Sequence, residues 1–177
     1  MNISTRSDRE QLKSLDATHV PADQREKIVA ELRRSYMMEV ETVTNYLANS
    51  IHLDGMLAQE VKENLQEDVQ EELGHAQKLA LRIKILGGYI PGSKELEFDQ
   101  DGLQPPKDSI DIESVITGVI QAEDGAINQY QKIIEMTDGV DFVTQDLCIE
   151  LKGDEEEHRR TFAGFLREYE AMKRMFG

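Results

Sequence analysis

The sequence has one cysteine, Cys148, and no tryptophan. A single thiol cannot close an internal disulfide, and it cannot supply a CxxC zinc or rubredoxin-type site. It fits a reducing, cytoplasmic setting. There are four prolines, and strand-like alternation is hard to find. No run approaches the roughly 20 apolar residues of a membrane span. The first residues, MNISTRSDREQLKSLD, lack the apolar stretch of a signal peptide. Positive charge is scarce: 20 Lys and Arg against 35 Asp and Glu leave a net charge of -15. A field of that sign repels nucleic acid and anionic membrane and attracts cations. No nucleic-acid partner and no membrane partner is therefore expected.

What is present is helical periodicity. The 177 residues are the size of one ordinary domain, and 39% hydrophobic with 31% charged residues suits a globular chain. Residues 1–20 are polar and unpatterned and read as an N-terminal tail; 21–177 read as one domain. Pro21, Ala22 and Asp23 look like a helix start. The spacing predicts helices over about 23–53, 57–86, 110–137 and 141–175. Asp54-Gly55 and Asp138-Gly139 make the tight turns, and Gly87-Gly88 makes a C-cap. Residues 87–109 hold most of the glycine and proline and read as a long connection. Helices of about 28 residues are about 42 Å long, and about 22 extended residues reach about 70 Å. The connection can therefore run back along a helix. The expected fold is all-α: a four-helix bundle of two antiparallel hairpins joined by a long crossover.

The apolar stripes are interrupted by acid. The first reads Ile28, Leu32, Tyr36, Glu39, Val43, Tyr46 and the second Leu57, Val61, Leu65, Glu72, His75, Leu79, Ile83, Leu86. The third reads Ile112, Ile116, Val119, Glu123, Ile127, Tyr130, Ile134 and the fourth Leu147, Leu151, Glu155, His158, Phe162, Phe165, Tyr169. Each helix places one glutamate at a core position. Two of them add a histidine three residues later, on the same face. Bare charges in a core cost several kcal/mol each, and no Lys or Arg lies on these stripes near the glutamates. Metal is the economical compensation.

The heights agree. Glu39 lies about 14 residues before its predicted turn and Glu72 about 15 after that helix starts; Glu123 and Glu155 repeat the arrangement in the second half. All four can meet in one layer. In both halves a tyrosine follows the first glutamate by seven residues, as Tyr46 and Tyr130, and Glu-x-x-His begins 33 or 32 residues after it. Four carboxylates and two imidazoles suit two iron or manganese ions; a closed structural zinc site would use fewer ligands and usually thiolates.

With these motifs, EVETVTNY (39–46), EELGHA (71–76), AEDGAINQY (122–130) and DEEEH (154–158), the chain resembles the ferritin-like superfamily over about residues 25–175, and bacterioferritin most closely within it. The resemblance implies a ferroxidase. Two Fe(II) per subunit would be oxidised by O2 or H2O2 and stored as Fe(III) mineral in a hollow homo-oligomer. Glu39 and His75 would hold one iron, Glu123 and His158 the other, and Glu72 and Glu155 would bridge them. Tyr46 and Tyr130 would hydrogen-bond the carboxylates. Mn or Zn could replace Fe.

Departures from the family pattern also carry expectations. The methionine that ligates haem in bacterioferritins is Leu73 here, so methionine-ligated haem is not expected; Met37, Met38 and Met56 read as core fillers. A histidine used by some bacterioferritins for an inner-surface iron is Glu67 here. Little chain follows the fourth helix to form the fifth that helps organise 24-subunit shells, so a smaller shell of 12 stays open beside one of 24, either of them built from dimers. The remaining readings are plainer. Glu41, Glu71, Glu156 and Glu157 are placed on a solvated face, and His19 and His52 near the surface. Cys148 is placed in core packing, and Tyr36 and Tyr169 in core or interface. Competing functions on the same scaffold are a rubrerythrin-like peroxidase, a manganese catalase, or a non-enzymatic metal-binding bundle.

Overall fold

The computed structural model describes residues 18–176, with side chains to Met175; the greater part of the tail read at 1–20 lies outside them. Four helices run α1 Ala22–His52, α2 Gln59–Ile85, α3 Ile112–Thr137 and α4 Phe142–Phe176. α1 and α2 form one antiparallel hairpin and α3 and α4 the other. The hairpins meet through α1 against α3 and α2 against α4. Single 3-10 turns at Met56–Ala58 and Asp101–Leu103 punctuate the connections.

The ends follow local chemistry. The Pro21 carbonyl accepts from the amides of Gln24 and Arg25, and the Asp111 carboxylate accepts from Ser114 N at 3.1 Å. At the end of α2, Gly87 has φ +75 and Gly88 N donates to Ile83 O at 2.8 Å. Only glycine adopts that backbone cheaply. Gly118 serves a different need. A Cβ there would lie 2.3 Å from the Gly102 carbonyl oxygen, so its absence lets the crossover lie directly on α3.

The core is two apolar plugs with a polar layer between them. Ile28, Leu32, Leu79, Ile83, Ile133 and Leu151 fill one end, where Val20 also packs. Leu53, Val61, Leu65, Ile116, Val119 and Phe162 fill the other. Cys148 is fully buried, as its position predicted, and burial pushes its thiol up to about 12. The predicted stripes drift at their ends. Val43, Ile127, Ile134 and Leu147 are half-buried, while Thr42, Ala126, Ile133 and Cys148 are buried, because a 3.6-residue period slips against a seven-residue one.

Three expectations need correction. α2 begins at Gln59 rather than 57: the 3-10 turn turns Leu57 outward, and Ala58 and Val61 point inward instead. Met56, expected in the core, lies on that turn and is 95% exposed. Glu41, expected on a solvated face, is buried. Its carboxylate accepts from the Asp99 amide at 2.9 Å and the Gln100 amide at 2.8 Å. About two turns further along α1, Asn49 Nδ2 donates to Leu103 O at 2.8 Å. These bonds fasten the crossover to the second half of α1.

Arg82 on α2 donates two 2.7 Å bonds to Asp141 and one to Thr144. Asp141 in turn accepts from Thr144 N at the start of α4. Both partners are buried, and they tie the two hairpins together. Arg82→Ala leaves the buried Asp141 carboxylate without its cation, held by Thr144 alone, so it is expected to cost about 3–5 kcal/mol, read as a lowered thermal midpoint. Arg82→Met with Asp141→Leu removes both charges and should recover most of the loss. A single variant that melts like the native chain would contradict this reading.

Candidate metal centre

The six predicted residues come together in one subunit. Glu39 arrives from α1, Glu72 and His75 from α2, Glu123 from α3, and Glu155 and His158 from α4. Their ligand atoms form two overlapping groups. Glu39, Glu72, His75 and Glu155 lie within 4.8 Å of one another, and so do Glu72, Glu123, Glu155 and His158. Glu72 and Glu155 belong to both. They are also the most buried, at 0% and 1% exposed. The two imidazoles stack at 6.4 Å between ring centroids.

Both histidines turn Nδ1 inward. His75 Nδ1 lies 3.2 Å from Glu72 Oε2 and 3.1 Å from Glu155 Oε1. His158 Nδ1 lies 3.2 Å from Glu72 Oε1, 3.4 Å from Glu155 Oε2 and 3.9 Å from Glu123 Oε1. Yet Glu72 Oε1, Glu155 Oε2 and His158 Nδ1 are buried and make no hydrogen bond. Buried polar atoms left in that condition are rare and costly. Atoms that converge without bonding to one another are arranged around a common point, which is the fit a cation requires.

The electrostatics without metal are strained in the same sense. Burial raises the carboxyls of Glu39 and Glu123 well above the ordinary range, and the negative charges of Glu155 and Glu72 push them further. Burial would raise Glu72 too, but the neighbouring imidazoles of His158 and His75 draw it down to about 2. Burial opposes charge on His75, but Glu155 and Glu72 push it up to about 10. His158 is raised as well, by Glu155 and Glu72 against burial. The layer without metal thus favours protonated Glu39, Glu123 and imidazoles around the charged Glu72.

The tyrosines are exchanged between hairpins. Tyr46 on α1 donates to Glu123 on α3, and Tyr130 on α3 donates to Glu39 on α1. Burial keeps both phenols protonated, with Glu123 and Glu39 respectively adding to the effect. The sequence placed each tyrosine on its own helix's stripe; the packing of α1 on α3 decides which carboxylate it meets.

Three acids outside the predicted set also touch the site. Asp154 Oδ2 lies 3.2 Å from His75 Nε2. Glu71, exposed as expected, places Oε2 2.9 Å from His158 Nε2. Asp68 Oδ1 lies 3.8 Å from the same nitrogen, and burial raises its carboxyl to about 7. The available signal was an acid immediately before each Glu-x-x-His, four residues from the histidine. Glu156 and Glu157 are exposed, as expected.

Comparison with known proteins agrees with this architecture. The family model described as Ferritin-like domain matches residues 29–172. A DNA protection during starvation protein of Pyrococcus furiosus is 28% identical over 145 residues, 80% of this chain and 77% of that one. Among solved structures, a dodecameric thioferritin, the bacterioferritin-related protein of Bacteroides fragilis, superposes with TM-score 0.75. It is 24% identical and covers 95% of this chain and 98% of its own. The bacterioferritin of Desulfovibrio desulfuricans, described with its diiron site, gives TM-score 0.74 at 21% identity over 88% and 86%. Identities this low speak for the fold alone.

Proposed function

Because the chain belongs to the ferritin-like domain family, whose model spans residues 29–172, we propose that it oxidises Fe(II) with O2 or H2O2 and stores the Fe(III) in a homo-oligomeric shell. The observation that carries this reading is the convergence of four buried carboxylates and two imidazoles in one chain, with three of their inward atoms unbonded.

Two Fe(II) supply two electrons; O2 takes them up with two protons to give H2O2, or H2O2 takes them up with two protons and its O–O bond breaks to give two waters. The chain's own residues do the rest. Glu39 with His75, and Glu123 with His158, each hold one cation. Glu72 and Glu155, shared by both groups, hold the pair at short separation. The four carboxylates offset the four positive charges of two Fe(II). Tyr130 and Tyr46 fix one oxygen of Glu39 and Glu123, so the other is aimed at the ion. The two apolar plugs exclude bulk water from the layer. The acidic surface, part of a net charge of -15, raises the local concentration of Fe(II).

The Bacteroides fragilis relative is dodecameric, and we extend a shell of that kind to this chain. We do not extend DNA binding from the Pyrococcus furiosus relative's name, because a charge of -15 opposes it. Haem is no part of the reading, since Leu73 occupies the methionine position and is half-exposed.

Light scattering before and after aerobic addition of Fe(II) tests the proposal. A particle of twelve or more subunits that retains Fe(III) in solution is expected. A dimer that consumes peroxide while Fe(III) fails to accumulate would instead mean an enzyme of another kind on this scaffold.

A further inference from the structure

A neutral imidazole has one N–H and one lone pair, and only the lone pair can hold a metal. In this centre both Nδ1 atoms face the shared carboxylates, so both protons must sit on Nε2. The structure supplies an acceptor for each, and it does so crosswise. His75 on α2 is met at Nε2 by Asp154 of α4, at 3.2 Å. His158 on α4 is met at Nε2 by Glu71 of α2, at 2.9 Å.

We propose that Asp154 and Glu71 are positioning residues: each holds the Nε2 proton of the imidazole on the opposite helix, and so presents its Nδ1 lone pair to the dimetal centre. The inference rests on the dimetal reading above and adds two residues to it.

The acceptors are not needed for folding. The side chains of Asp154 and Glu71 are 44% and 59% exposed, so removing either strands no buried charge and opens the imidazole's outer nitrogen toward water, and exposed ion pairs contribute little. Their effect is directed at the rings. The two sides are also unequal. His75 has one outer carboxylate, whereas His158 has Glu71 and, behind it at 3.8 Å, the buried Asp68. Asp68 makes no hydrogen bond of its own among the described residues, so it can take over the proton when Glu71 is lost. Asp68, Glu71 and His158 lie close enough to suggest a third cation site. With Nδ1 committed to the centre, however, Nε2 carries the proton and cannot be a ligand. The two acids are therefore acceptors here.

Co(II) is a suitable probe because it binds without turnover. Titration of the intact oligomer, followed by visible absorption and calorimetry, should give two Co(II) per native subunit. Asp154→Ala should weaken one of the two steps about 10–100-fold. Crystals grown at one Co(II) per subunit should show, by anomalous scattering, the ion retained at Glu123 and His158. Asp154→Asn keeps an acceptor oxygen and should restore most of the affinity. The double variant Asp68→Ala with Glu71→Ala should give the mirror result, with the ion retained at Glu39 and His75. Glu71→Ala alone should have the smaller effect. General damage to the fold would weaken both sites together and would not invert between variants. Variants that lose both sites equally, or lose neither, overturn the inference. A native protein that binds no Co(II) would instead overturn the dimetal reading beneath it.

Discussion

Replacing both Glu72 and Glu155 by alanine should reduce Fe(II) oxidation to the rate of Fe(II) in buffer alone. These two carboxylates are the only residues common to both ligand groups. Losing Glu39 or Glu123 removes one ligand from one cation; losing the shared pair removes two from each. It also leaves two carboxylates to offset the four charges of two Fe(II), in a layer where Glu39 and Glu123 already prefer to be protonated. Uncompensated charge in such surroundings costs several kcal/mol, and each 1.4 kcal/mol is tenfold in rate or occupancy. Glu156→Ala serves as the control, since Glu156 is exposed and among the described residues pairs with Lys152 at 3.0 Å, outside the centre. Stopped-flow absorbance at substoichiometric iron gives the rate, and circular dichroism checks the fold. Rapid oxidation by the folded double variant would show that the assignment of these ligands is wrong.

That the shared pair can be named at all reflects how buried charge marks a sequence. A glutamate at a core position interrupts a 3.6-residue stripe, and the interruption is visible without coordinates. Hairpin geometry then places Glu39 level with Glu72 and Glu123 level with Glu155. The four helices and the six inward residues were legible for this reason. Glu41 was not. It lies two residues from Glu39, about 200° around the helix, where periodicity predicts solvent. The crossover buries it there, and no repeat encodes that path. Asp154 and Glu71 were hidden by the same logic. Their side chains lie at the edge of the bundle, and only the packing of α2 on α4 brings them to the imidazoles. The exchange of Tyr46 and Tyr130 likewise depends on α1 meeting α3. Met56 and Leu57 were misplaced because the turn after Gly55 consumes one 3-10 turn before α2 begins. Periodicity thus reports what faces the core of one helix; contacts between helices and loops must be seen.

Loading the centre should raise the thermal midpoint, and the gap between loaded and metal-free protein should widen as pH rises. Two ions present at about a thousand times their dissociation constants stabilise by about 4 kcal/mol each. For a domain of this size that is on the order of 20 °C. The pH dependence follows from which forms the metal-free fold prefers. His75 is raised from 6.5 to about 10. Its contribution is complete below pH 6.5 and is lost as pH rises through about 10. Glu39 and Glu123 are raised from 4.5, so their contribution is complete below pH 4.5 and declines above it. Glu72 is lowered from 4.5 to about 2; its contribution is present above pH 4.5 and is lost as pH falls through about 2. Between pH 5.5 and 8.5 the balance therefore runs one way, and the metal-free protein loses stability as the medium turns alkaline. Metal binding has the opposite slope, because the ligands must release these protons before they can hold a cation. Zn(II), which is redox-inert, isolates the effect from oxidation. Melting curves with and without Zn(II) at pH 5.5, 7.0 and 8.5 should diverge steadily. The Glu72→Ala, Glu155→Ala variant should show almost no gap at any of them. A gap that stayed constant or narrowed with pH would mean that the imidazoles and carboxylates of this layer do not exchange protons for metal.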